Sequence, residues 1–190
     1  MVSKRKTCDI CKRPEKACYC HTIKKYRNNF PVLIIRHFNE ESHPFNTARM
    51  AEMTYDNLEI ISSNHPELDQ RIESFIKDHN PFLLFKSHYS RKFNCKEEEF
   101  LYKAMIVIDG TWDQAKGILY SKESLQNLHQ LHLDHDVESI YKPIRKACSK
   151  SFLSTLEAIT MTLESIEKVN LQESLSPLKY VVEWQKKWSP

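Results

Sequence analysis

A chain of 190 residues, 41% hydrophobic and 28% charged, suits one globular domain with room for a small appendage. No apolar run approaches the roughly 18 residues of a membrane span, and the basic, cysteine-bearing N-terminus lacks the apolar centre of a secretory signal. The net charge of +3 is uneven: residues 1–28 carry nine Lys/Arg against Asp9 and Glu15, a net +7, which leaves 19 basic and 23 acidic residues, or −4, on the rest.

A basic arm on a mildly acidic body is the layout of a phosphate-backbone contact, although a merely solvated tail has the same composition. Within the arm, Cys8-x-x-Cys11 is followed after six residues by Cys18-x-Cys20. Two close pairs of soft ligands suit tetrahedral zinc, and four protein ligands leave no open position, so the expected site is structural. His21 is a possible substitute ligand. Clustered thiols of this kind, rather than a spread disulfide framework, point to a reducing, cytoplasmic compartment. Cys95 and Cys148 stand apart and read as plain thiols.

Pro31-Val32-Leu33-Ile34-Ile35 reads as a first buried strand, running on to Arg36 and His37 at the end where ligands collect in open α/β sheets. A helix is predicted over 47–57 with Asn46 as its cap. Arg49 in its first turn opposes the helix dipole, a hint that it answers to an anion. Leu58-Glu59-Ile60-Ile61 reads as a second strand, and Pro66 starts an amphipathic helix with Leu68, Ile72, Phe75 and Ile76 on one face. A third strand runs from Pro81 through Leu84 and Phe85 to Lys86 and Ser87. Residues 88–100 read as a surface loop, and 101–109 as a fourth strand.

That fourth strand opens the most informative stretch, Met105-Ile106-Val107-Ile108-Asp109-Gly110-Thr111-Trp112. A β-branched run ends on a carboxylate, glycine turns the chain, and a helical pattern begins at Thr111. Average usage would give about 13 glycines, yet there are two, Gly110 and Gly117. The scarcity predicts a special backbone at this turn. The plainer reading makes Asp109 or Thr111 a helix cap and Trp112 core filler, and pattern alone leaves both readings open. Asp-Gly-Thr also closes an aspartate-nucleophile phosphatase motif, but that motif needs an aspartate where Val107 stands.

Further on, His129, His132 and His135 alternate with leucines as in a short strand rather than as metal ligands. Tyr141 to Lys146 forms a basic loop containing Arg145 and Lys146. Ser154 and Glu157 make a capping box for a helix buried through Leu156, Ile159, Leu163 and Ile166. Tyr180, Trp184 and Trp188 share a helical face that docks on the body. Strands alternating with helices predict an α/β fold with a largely parallel sheet and helices on both faces. The organisation is then a zinc segment over 1–28 and an α/β domain over 29–190.

Asp109-Gly110-Thr111-Trp112 resembles the Asp-x-Thr-Trp signature of the DTW-domain family. Cys8, Cys11, Cys18 and Cys20, His43-Pro44 with Asn46-Thr47, Leu83-Leu84-Phe85-x-Ser87, Arg145-Lys146 and Leu153-Ser154-Thr155-x-Glu157-Ala158 resemble its other features in the family's order. Lys86 stands where a proline is expected, and the segment before Leu153 lacks an expected glycine. The resemblance implies a SPOUT-like knotted fold, which connectivity rules alone would argue against. It also implies transfer of the 3-amino-3-carboxypropyl group of S-adenosylmethionine to a uridine of tRNA, releasing methylthioadenosine.

On that reading Asp109, Thr111 and Trp112 are the candidate catalytic residues. Asp109 would deprotonate the uracil nitrogen, or orient the donor, and Trp112 would stack on a base. Leu84, Phe85, Ser87, Ile108–Trp112, Leu153, Ser154 and Thr155 would hold the donor. Arg36, His37, Arg49, Arg145 and Lys146 would meet tRNA phosphates. The alternatives are a methyltransferase using the same pocket and a non-catalytic, zinc-stabilised RNA-binding protein.

Overall fold

The computed structural model describes residues 6–43, 45–93, 101–134, 138–141 and 153–188. Its centre is a six-stranded sheet in which every pairing is parallel, in the order β2-β1-β5-β3-β6-β4. The strands are β1 (Val32–Arg36), β2 (Leu58–Ser62), β3 (Pro81–Leu84), β4 (Arg91–Lys92), β5 (Ala104–Asp109) and β6 (Gln130–His132). The helices are α1 (Thr47–Thr54), α2 (Leu68–His79), α3 (Trp112–Ser121), α4 (Glu123–Gln126), α5 (Thr155–Glu167) and α6 (Ser176–Trp188).

Side chains alternate along each central strand and so divide the interior into two cores. Val32, Ile34, Met105 and Val107 join α1, α5 and α6 in one core. Leu33, Ile35, Ile106 and Ile108 join α2, α3 and α4 in the other. β1 and β5 are apolar on both faces because both faces are covered. The expected α/β architecture is therefore present, as a sheet between two helical layers.

Several boundaries differ from the sequence expectation. The 47–57 helix stops at Thr54, because Tyr55 takes an extended backbone and bridges to Tyr26. The Tyr55 hydroxyl lies 2.8 Å from Thr160 Oγ1 and 2.9 Å from Ser174 Oγ, which ties the end of α1 to the α5 layer. The fourth predicted strand begins at Ala104 rather than 101. The loop predicted over 88–100 contains β4, which extends the sheet beyond β6. His129 and His132 are structural: their Nδ1 atoms lie 2.6 Å from the Tyr102 hydroxyl and 3.0 Å from Ser90 Oγ. His135, Cys95 and Cys148 lie outside the described residues.

α6 docks as its aromatic spacing predicts, and its partner is the N-terminal segment. Tyr180 meets His21 edge-on at 4.7 Å, and the Arg13 guanidinium lies between Trp184 (5.7 Å) and Phe45 (4.9 Å). The side chain of Trp188 is outside the described ones. Cys11 and Tyr19 are buried in the same core as α1 and α5.

Glu157 joins α5 to the chain before it. Both halves of the capping box with Ser154 are formed. The carboxylate also accepts from Ser139 Oγ at 2.7 Å and from the Ile140 amide at 2.7 Å. It is 3% exposed, and its removal orphans several buried donors at once. Glu157→Ala is expected to lower the unfolding free energy by roughly 3 kcal/mol, read from urea denaturation at unchanged m-value.

Candidate active site

β1 and β5 are neighbours in register, with Arg36 opposite Asp109. From β1 the chain passes to α1 in one helical layer; from β5 it passes to α3 in the other. Such a divergence opens a crevice at the carboxyl ends of the two strands, where open α/β sheets bind ligands. Strand alternation turns both Arg36 and Asp109 toward the α1/α5 side of it.

Asp109 is 9% exposed. Its Oδ1 accepts a short hydrogen bond from the Thr155 hydroxyl at the start of α5, and its carbonyl accepts the His37 amide at 2.8 Å. The carboxylate lines a narrow cleft with Glu40, His43, Phe45, Asn46, Thr47, Gly110 and Tyr141. The cleft encloses about 20 Å³, room for roughly one water. Asn46 caps α1 by accepting the Arg49 amide at 2.7 Å, as expected, and also donates to the Glu40 carbonyl at 2.6 Å. Tyr141 closes one side, its hydroxyl donating to the Phe45 carbonyl at 3.2 Å. Sequence reading did not single out Glu40 or Tyr141. Neither sits in a periodic pattern, and Tyr141 is linked through Ser139 to Glu157, 16 residues away in sequence.

Gly110 has no positive φ, so the special backbone predicted for this turn is absent. The constraint is space: a Cβ at Gly110 would lie 3.1 Å from Gln114 Cβ and 3.3 Å from His37 Cβ. Gly117 has open space around it. Thr111 is the N-cap of α3 and forms a full capping box with Gln114, so the cap reading holds for Thr111 and not for Asp109. Trp112 meets Phe85 edge-on at 5.3 Å, with the Lys116 ammonium 5.7 Å from its ring. Leu84, Phe85 and Ile108 are buried. Ser87 donates to Gln130 Oε1 at 2.5 Å, Ser154 caps α5, and Leu153 is half-buried beside it.

Among the expected cationic contacts, His37 caps the short turn Phe38–Glu40 and stacks on Phe38 at 4.4 Å. Arg49 does answer to acceptors, but they are carbonyls rather than an anion: Glu41 O at 2.7 Å and Cys11 O at 3.4 Å. It thereby joins the cysteine loop to the β1–α1 connection. Pro44, Arg145 and Lys146 lie outside the described residues.

The four N-terminal cysteines converge, with all ligand atoms within 4.8 Å of one another. Cys8 and Cys20 Sγ are 3.7 Å apart, and Cys11 and Cys18 Sγ 3.8 Å. Tetrahedral zinc with ordinary Zn–S bonds has an S···S edge of about 3.8 Å, so the donors fit the ion. Backbone N–H groups of Cys11 and Ile10 hold the Cys8 thiol down, to about 6, while burial pushes Cys18 and Cys20 up. His21 packs on Tyr180, and the metal set is complete without it.

The chain matches the DTW domain over residues 5–186. It belongs to the DTW-domain family. Among its relatives are proteins named tRNA-uridine aminocarboxypropyltransferase 2. The Macaca fascicularis protein is 28% identical over 97% of this chain, and the Mus musculus protein 29% identical over 97%. The Drosophila melanogaster protein is 27% identical over 96% of this chain and is covered over 76% of its own length. This DTW chain spans 65% of the length of the two mammalian relatives. No solved structure matches it. Among the described residues, no helix is long and apolar enough to cross a membrane.

The cysteine geometry makes a checkable statement about this DTW protein. Metal analysis should return one zinc per chain. After chelation at pH 7, iodoacetamide should alkylate Cys8 before Cys18 and Cys20, because its thiol is largely ionised. Restored zinc should suppress the reaction at all four positions.

Proposed function

We propose that this protein transfers the 3-amino-3-carboxypropyl group of S-adenosylmethionine to a uridine of tRNA, working in the cytoplasm. The observation that carries the reading is a carboxylate held at the point where β1 and β5 part, in a DTW chain whose relatives bear that enzyme name. When bound, the donor supplies a sulfonium-activated carbon whose bond to sulfur breaks as methylthioadenosine leaves.

Asp109 accepts the proton of the uracil ring nitrogen, which is a poor nucleophile until that proton is gone. The Thr155 hydroxyl fixes the carboxylate's orientation, so that the basic oxygen needs no reorganisation at reaction. The hydroxyls of Thr111 and Ser154 are engaged in capping boxes, and that of Ser87 with Gln130. These residues, with Leu84, Phe85, Ile108, Gly110 and Leu153, shape the donor pocket through backbone and apolar surface. Trp112, braced by Phe85, offers an aromatic wall for a base. The cleft encloses about 20 Å³, so this reading requires it to widen when the donor binds.

The tRNA contacts in this reading are His37, Arg145, Lys146 and the basic N-terminal arm. Segment 1–28 acts as a zinc-stapled appendage of the catalytic domain, 29–190. The fold is assigned to the knotted SPOUT-like class on family resemblance.

Incubation with tRNA and S-adenosylmethionine should release methylthioadenosine. Asp109→Asn should cut that release by about 100-fold or more, measured with donor at a concentration that saturates the variant. Equal release from the variant would remove Asp109 from the chemistry.

A further inference from the structure

Among the described residues, the Arg36 guanidinium has almost no partner. The side chain is only 15% exposed, and its Nε is buried without a hydrogen-bond acceptor among the described residues. The nearest carboxylate, Glu41, lies 3.8 Å from Nη2, an ion pair beyond hydrogen-bond reach. Of the other arginines described near this end of α1, Arg49 bonds two carbonyls, and Arg13, whose Nε is also buried without an acceptor, has its guanidinium between two aromatic rings. A guanidinium has five donors in a rigid fork and cannot shed its charge, so leaving it buried and unmatched is costly. A small anion reaching into the crevice removes that cost.

The surroundings narrow the anion's class. Arg36 is the in-register neighbour of Asp109 on the same side of the sheet, and the adjoining cleft carries two carboxylates, Asp109 and Glu40. One fork-shaped cation beside two anions complements the carboxylate and ammonium of an α-amino acid. A tRNA phosphate fits less well, because a polymer backbone meets exposed cations and Arg36 is recessed. We infer that Arg36 binds the α-carboxylate of the donor's aminocarboxypropyl chain. This contact fixes which of the three sulfonium carbons faces the uridine, since orientation decides which one reacts. The assignment rests on the proposed function.

Decarboxylated S-adenosylmethionine separates the two claims. By calorimetry the parent protein should bind S-adenosylmethionine about 10-fold or more tighter than the decarboxylated form, as a charge-assisted contact requires. In Arg36→Gln the preference should fall to within about 3-fold, with affinity for the decarboxylated form unchanged, which also reports that the variant is folded. Arg36→Lys, a point charge without the fork, should keep an intermediate preference.

Equal binding of both compounds by the parent overturns the inference without any variant. So does a preference that persists in Arg36→Gln. Weakened, salt-steep tRNA binding in Arg36→Gln with donor preference intact would assign Arg36 to phosphate instead. If the parent binds neither compound, the proposed function itself fails.

Discussion

Two neighbouring strands, β1 and β5, run parallel and then leave for opposite helical layers, and that parting opens the crevice at which the site forms. It places Asp109 and Arg36 side by side at the carboxyl edge of a sheet that is otherwise apolar at its centre. The Thr155–Asp109 hydrogen bond then bridges the gap, bringing the first turn of α5 onto the end of β5 from 46 residues away in sequence. Gly110 lets the turn after β5 pack closely, since a side chain there would push against Gln114 and His37. Charge and backbone are thus organised before any ligand arrives, as electrostatic preorganisation requires.

The layers around the crevice have separate supports. On the α1/α5 side, Asn46 and Arg49 hold the β1–α1 connection, and Arg49 reaches on to the cysteine loop. A zinc ion there would stiffen the cleft indirectly, through Cys11 O, Arg49 and the Glu41 carbonyl. Glu157 secures the approach of Tyr141 from below. The N-terminal segment is therefore both a charged arm and a packed part of the main core, with Tyr19 1% exposed.

What could be read in the sequence was whatever is local. The apolar runs gave β1, β3 and β5, the Ser154–Glu157 capping box is a four-residue pattern, and four cysteines in 13 residues mark a metal site. β4 and β6 are short, polar and stabilised mainly by their neighbours, so periodicity could not resolve β4 at all. The glycine scarcity pointed to the right turn for the wrong reason, because a steric limit set by Gln114 and His37 leaves no conformational trace in sequence. Tyr141, Glu40 and the isolation of Arg36 are long-range facts. A missing partner in particular can be seen only once the surroundings are in place.

In the proposed reaction the crevice directs the aminocarboxypropyl carbon, and not the methyl, at a uridine. The direct measurement uses a donor carrying carbon-13 in the aminocarboxypropyl chain and deuterium in the methyl, followed by mass spectrometry of the tRNA nucleosides. The expected result is carbon-13 in a uridine derivative and deuterium only in released methylthioadenosine. Deuterium in the RNA, or unlabelled RNA despite bound donor, would contradict it.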